Sequence, residues 1–281
     1  MEYIKLFNGM SIPAIGSGTN SFGHITSNYT SEYNGDFSPV GNAIKAGYRM
    51  FDSAIAYNNE DGLGTALKES GIPREELIII DKLKIAPGYI ENAANVSKAV
   101  KESLNALKTD YIDFFLLHRH WDNADQMFEA WNALDVLRKE GYIRDIAVSN
   151  FSALQVEQLV DLTGIKPAFD QHAYNSTNWN LDLIEDLKKI EISSMAYAPL
   201  HLSQEFKNKI RPVAEKYNRS WAQIILRHHY QKGIVSLPKS HSYAHALSNI
   251  SIFDFTISEE DIKLIDNIIL HDPIVDKSLF K

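Results

Sequence analysis

Apolar and polar positions fall into alternating blocks along the whole chain. Eight stretches are apolar at most positions: IPAIGSGT (12–19), RMFDSA (49–54), LIIIDKL (77–83), YIDFFLLH (111–118), IRDIAVSN (143–150), PAFDQHAY (167–174), ISSMAYAPL (192–200) and IVSLPKS (234–240). Between them, apolar residues recur every three or four positions, as in VSKAVKESLNALK, MFEAWNALDVLRKEG and LDLIEDLKKI. The first pattern predicts strands buried on both faces, and the second predicts helices with one apolar stripe. Glycines close several of these segments, at Gly47, Gly71, Gly141, Gly164 and Gly233. A left-handed cap there would turn the chain into the next strand. Eight such units in 281 residues predict an α/β fold, a closed (β/α)8 TIM barrel rather than an open doubly wound sheet. The open sheet would also want G-x-G-x-x-G after its first strand, which GSGTNSFG does not supply. YIKLFNGMSIP predicts an N-terminal β-hairpin turning at Asn8-Gly9, and SEEDIKLIDNII an extra C-terminal helix. No linker or low-complexity tract interrupts residues 1–281, which predicts a single domain.

One connection breaks the rhythm. NSFGHITSNYTSEYNGDF (20–37) is polar and long, where about two to six residues usually join a strand to its helix. It is expected to shape a site at the barrel's working face, with disorder as the alternative.

Composition narrows the chemistry. A formal charge of −8 argues against a nucleic-acid partner, because phosphate binding needs a basic face. The absence of cysteine removes disulfides, thiolate metal sites and thiol nucleophiles. MEYIKLFNGMSIP lacks the basic start and apolar core of a signal peptide. No apolar run approaches the roughly 20 residues that span a bilayer. The expectation is a soluble cytoplasmic protein.

Barrel chemistry gathers at the carboxyl ends of the strands. Read off in order, those ends supply Asp52 and Tyr57, Lys82, His118, Ser149 with Asn150, Gln171, Tyr197, and Lys239 with Ser240. A lysine ending a run such as LIIID needs a compensating charge, which Asp52 can give, either as a structural ion pair or as part of a catalytic set. A free phenol is a poor acid at neutral pH, and a neighbouring ammonium stabilises its phenolate. Lys82 is therefore expected to lower the Tyr57 pKa, while His118 hydrogen-bonds and orients a bound carbonyl. That set can protonate an oxyanion, as the reduction of a ketone or aldehyde requires. The hydride has to come from a cofactor. PKSHSYAHALSN adds a lysine, a hydroxyl and a helix start after strand eight, where barrels often bind phosphate.

The stretch GYRMFDSAIAYNNEDGLG resembles the signature of the aldo-keto reductases, NAD(P)H-dependent barrel enzymes. LLH, AVSNF, AYAPL and LPKS follow in the family's order, so the resemblance covers essentially the whole chain. It implies a catalytic tetrad of Asp52, Tyr57, Lys82 and His118, with Tyr57 as general acid. It also implies that Ser149, Asn150 and Gln171 hold the nicotinamide carboxamide and that Tyr197 stacks on the ring. Gly18, Thr19, Leu200, Lys239, Ser240, His245 and Asn249 match further cofactor positions. The family default is a monomer acting on a small-molecule carbonyl.

Departures from the family pattern concern the cofactor and the substrate. His245 stands where NADPH-preferring relatives carry Arg, so NADPH is expected with NADH usable. Asn20 and Lys84 replace tryptophans, Arg119-His120 replaces Trp-Pro, and Ala198 lacks a hydroxyl. Asn20 and Trp121 are the expected substrate contacts, in a pocket more polar than usual, with Tyr29 and Tyr33 nearby. Two other readings compete. His118, His120 and His172 could be the ligands of a metal-dependent hydrolase, although strand eight brings no carboxylate to activate water; no metal is expected. A barrel that senses its cofactor with little turnover is the other. His228-His229, on a helical segment, is expected at the surface.

Overall fold

The structure, a computed structural model, describes residues 1–26 and 29–273. The chain opens with a hairpin of β1 (Tyr3–Lys5) and β2 (Ser11–Pro13), antiparallel in register Tyr3↔Pro13 and Lys5↔Ser11. Gly9, at φ 91°, makes the turn. Leu6 and Ile12 of the hairpin are buried with Met50, Ile80, Phe114 and Phe169. The hairpin thus plugs one end of a barrel.

Eight parallel strands form that barrel: β3 (Ser17–Gly18), β4 (Met50–Asp52), β5 (Ile78–Leu83), β6 (Ile112–Leu117), β7 (Ile143–Ser149), β8 (Phe169–Ala173), β9 (Ser193–Tyr197) and β10 (Val235–Leu237). They pair in sequence order, as expected for right-handed strand–helix–strand units. The ring closes where the Gly16 N–H donates to the Ser236 carbonyl at 2.9 Å and the Ser236 N–H to the Ala14 carbonyl at 3.0 Å. The seam is tightly packed at Gly16. A Cβ on Gly16 would meet Leu237 and Met50 side chains at 2.8 Å. β6 is covered on both faces, since it is buried at all six positions.

The flanking helices are α1 (Ser38–Ala46), α2 (Glu60–Glu69), α3 (Ala93–Leu107), α4 (Ala124–Lys139), α5 (Ala153–Thr163), α6 (Leu181–Lys189), α7 (Gln204–Lys216), α8 (Trp221–Gln231), α9 (Tyr243–Ile250) and α10 (Glu259–Leu270). The five glycines predicted to close units all have positive φ, between 68° and 107°. Ser152 and Ser220 form reciprocal capping boxes with Gln155 and Gln223, which fix where α5 and α8 begin. Two helices, α7 and α8, follow β9 where the pattern predicts one, and α10 is the expected extra helix.

His228 and His229 correct the sequence expectation. Both are fully buried in the last turn of α8. His228 meets Asp266 of α10 at 2.8 Å, and His229 meets the Ser236 hydroxyl of β10 at 3.0 Å. The helix is covered on both sides, so polar residues that look external find partners inside. The end of the tail DPIVDKSLFK, residues 274–281, lies outside the described residues.

Candidate active site

The carboxyl ends of the strands surround a cavity of about 300 Å³. Its deepest element is an ion pair. β4 ends in Asp52 and β5 carries Lys82, and because the two strands are neighbours, Lys82 Nζ donates to Asp52 Oδ1 at 2.7 Å. The same ammonium donates to the Ser53 carbonyl at 2.7 Å, and Gln171 Nε2 donates to Asp52 Oδ1 at 2.7 Å. Asp52, Lys82 and Gln171 are all nearly fully buried. Burying two charges costs several kcal/mol unless each is well bonded, and here the carboxylate accepts from β5 and β8 while the ammonium donates to two acceptors at the end of β4.

Tyr57 comes next. After Asp52 the chain makes a short 3-10 turn, Ile55–Tyr57, ended by Asn58 at a left-handed φ of 52°. The turn presents the phenol to the cavity, with Lys82 Nζ 5.1 Å from its ring centroid. The His118 ring stands edge-on to it at 5.9 Å. Asn59 fixes this corner, donating to the Thr19 carbonyl at 2.7 Å and accepting from the Ser53 hydroxyl at 3.0 Å.

Burial, reinforced by the charges of Lys82 and Arg119, pushes His118 down to about 3, so its imidazole is neutral. Tyr57 departs from the sequence expectation. Burial first, then Asp52, Tyr29 and Asp81, hold its phenol well above the usual value instead of below it. Burial dominates, and the Lys82 ammonium, engaged by Asp52 and the Ser53 carbonyl and 5.1 Å from the ring centroid, does not offset it. At neutral pH the phenol keeps its proton.

The opposite wall is a hydrogen-bonded set. The Ser149 hydroxyl donates to the Gln171 carbonyl at 2.8 Å. Asn150 Nδ2 donates to the His118 carbonyl at 3.1 Å and to Ser149 Oγ at 2.9 Å. The Tyr197 hydroxyl donates to Asn150 Oδ1 at 2.9 Å, which fixes the plane of its ring. At the far side Lys239 Nζ donates to Asn20 Oδ1 at 2.9 Å, and burial pushes this lysine down to about 8.

Comparison with known proteins agrees with this architecture. The model of the aldo/keto reductase family matches residues 14–270. The chain belongs to the aldo/keto reductase family. Among curated relatives, the glyoxal reductase of Bacillus subtilis (strain 168) is 38% identical over 267 residues, covering 94% of this chain and 92% of that protein. The methylglyoxal reductase DkgA of Escherichia coli (strain K12) is 31% identical over 274 residues, covering 92% and 90%. Among solved structures, a Bombyx mori aldo-keto reductase in complex with NADP superposes with a TM-score of 0.85 at 30% identity, covering 99% of this chain and 96% of that one.

In this aldo/keto reductase the predicted residues divide by position. Gly18, Thr19, Asn20, Asp52, Tyr57, His118, Ser149, Asn150, Gln171, Tyr197, Leu200 and Lys239 all line the cavity, with Lys82 bonded directly behind Asp52. Ser240, His245 and Asn249 stand apart from it, on and before α9. The Ser240 hydroxyl donates to the Ser242 carbonyl at 2.9 Å, His245 is exposed in the first turn, and Asn249 is buried. Trp121 is not in the lining; its indole N–H donates to Gln126 Oε1 at 3.3 Å. The alternative metal ligands do not converge. His118 faces Tyr57, His120 packs edge-on against Phe151, and His172 is buried 3.4 Å from Asp170. Among the described residues no group of three His, Asp or Glu is placed to hold a metal.

Sequence reasoning missed four contributors. His201 and Pro199 line the cavity simply because they follow Tyr197 around the end of β9. Asn59 had a legible signal, as a polar residue two positions after Tyr57. His24 had none.

Proposed function

We propose that the protein is an NAD(P)H-dependent reductase of small aldehydes and ketones, with Tyr57 as the proton donor. The observation that carries this reading is the convergence of a protonated phenol, a neutral imidazole and a buried ammonium–carboxylate pair on one cavity wall. The curated relatives, reductases of glyoxal and methylglyoxal by name, support a small carbonyl or dicarbonyl as substrate.

The lining fits a nicotinamide nucleotide. Tyr197 offers a ring of fixed plane, and Ser149, Asn150 and Gln171 supply amide and hydroxyl groups on the adjacent strands. Lys239 is a cation held against burial, and a phosphate beside it would raise its pKa back toward the usual lysine value. When bound, the reduced nicotinamide supplies the hydride. Everything else falls to this chain. Neutral His118 donates a hydrogen bond to the substrate oxygen and orients it. As that oxygen becomes negative, the Tyr57 hydroxyl gives it a proton. The charge left on Tyr57 then faces Lys82, 5.1 Å from the ring centroid, an attraction that strengthens once the proton has moved. Asp52 and Gln171 hold the ammonium and the wall in place.

NADPH is the favoured cofactor with NADH usable, because exposed His245 offers a 2′-phosphate less fixed charge than an arginine would. The test is loss of NADPH or NADH absorbance with a panel of glyoxal, methylglyoxal, aldehydes, ketones and keto esters. Turnover of small dicarbonyls with both cofactors is expected. Cofactor binding without turnover of any carbonyl would overturn the reading. An NADPH preference above about a thousandfold, roughly 4 kcal/mol, would overturn the cofactor assignment.

A further inference from the structure

The connection after β3 holds an arrangement that its polar sequence does not announce. His24 is 6% exposed, and both its ring nitrogens lie against main-chain oxygens. Nε2 is 3.0 Å from the Tyr57 carbonyl and Nδ1 is 3.1 Å from the Ser31 carbonyl. Tyr33 packs edge-on against the ring at 5.8 Å. The segment folds back on itself around this point, since the Gly23 N–H donates to the Asp36 carbonyl and the Asn34 N–H to the Gly23 carbonyl. On the same segment Tyr29 reaches the cavity, its ring centroid 5.3 Å from that of Tyr57.

We propose that His24 is a positioning residue for substrate selection: by bonding the main-chain carbonyl of Tyr57, it holds Tyr29 against the Tyr57 ring as a fixed wall that favours small carbonyls over bulky ones. The inference rests on the reading of Tyr57 as proton donor and extends it to a residue with no direct contact to substrate.

The anchor point matters. The Tyr57 carbonyl lies at the end of its 3-10 turn, just before left-handed Asn58, where the turn itself offers no donor. A side-chain donor from the connection therefore both satisfies this oxygen and ties the wall to the residue that does the chemistry. A small dicarbonyl fills little of a cavity of about 300 Å³ and relies on its walls for orientation. Loss of near-attack geometry by about 1 Å costs on the order of a hundredfold in rate. A bulky aryl ketone has the opposite need, because Tyr29 occupies space it would use.

The experiment compares kcat/KM for methylglyoxal and for acetophenone, with NADPH, in the wild type and four variants. His24→Ala is expected to lower the ratio of the two values at least about fivefold, mainly by lowering kcat for methylglyoxal, the size expected for one lost hydrogen bond. His24→Gln, whose amide can donate where Nε2 stands, is expected to recover most of the ratio. Tyr29→Ala is expected to match His24→Ala, and the double variant to go no further than Tyr29→Ala alone, since the two act through one wall. NADPH affinity, read by fluorescence titration, should stay within about twofold throughout. A ratio changed less than twofold in His24→Ala, or losses that multiply in the double variant, would overturn the proposal. Should His24→Ala fail to fold, Tyr29→Ala and His24→Gln decide the matter, and an unchanged ratio in Tyr29→Ala overturns it. Failure of the underlying reading looks different: the wild type would turn over neither carbonyl, or Tyr57→Phe would remain active.

Discussion

Two buried polar clusters flank β8, and they are built on opposite principles. On the cavity side Gln171 joins Asp52 and Lys82, and one carboxylate oxygen receives two donors at 2.7 Å. On the other face stand Asp170 and His172, two residues apart and therefore side by side on the strand. Tyr174 and His229 of α8 lie with them, their ring centroids 5.0 Å apart. Here only some polar atoms have partners. Among the described residues neither nitrogen of His172, nor His229 Nε2, nor the Tyr174 hydroxyl has a hydrogen bond. The 3.4 Å from His172 to Asp170 is long for one. Both clusters are equally dry, so the difference lies in partnership. Polar groups bonded from several strands give a site whose charges are fixed before a substrate arrives, whereas polar groups without partners only cost stability.

Lys82→Met breaks this comparison most severely. It leaves the Asp52 carboxylate buried beside a single amide donor, and about 3–5 kcal/mol of folding stability should be lost in denaturant melts. A loss below about 1 kcal/mol would mean that the pair does not hold the strand ends together. His229→Leu probes the other side. Near pH 7 it should stay within about 1 kcal/mol of the wild type, because removal of the unpartnered Nε2 is offset by loss of the Nδ1 contact with the Ser236 hydroxyl. Burial, with smaller repulsion from neighbouring His228, His172 and Lys232, holds His229 well below its usual value. The unfolded chain therefore takes up a proton below about pH 6.5 that the folded chain refuses. Wild-type stability falls with acidity, and the advantage of His229→Leu should widen by up to about 1.4 kcal/mol per pH unit below that point. An advantage that does not change with pH would show that folded His229 takes up its proton as readily as the unfolded chain does.

The frame and the centre of the site could be read from the residues, because strand ends and helix periods are local signals. Asp52, Lys82, His118 and Gln171 close apolar runs, and closing a run on parallel neighbouring strands places them at one end of the barrel. What escaped the sequence depends on contacts between distant segments. His24 binds a main-chain carbonyl thirty-three positions away, and a carbonyl has no residue-specific signature. His228 and His229 look external by residue type, and only the packing of α8 between β10 and α10 turns them inward. The raised Tyr57 pKa escaped for a related reason. Adjacency of Lys82 and Tyr57 was legible, but whether the ammonium meets the hydroxyl or the ring face depends on ångströms.

The proposed function makes turnover depend on a proton from Tyr57. Single-turnover reduction of methylglyoxal by Tyr57→Phe, with NADPH affinity measured on the same preparation, tests this most directly. The prediction is a loss of at least about a thousandfold in rate with cofactor affinity unchanged within about twofold. A variant that reduces the substrate within about tenfold of the wild-type rate would contradict the assignment, since the proton would then come from another group.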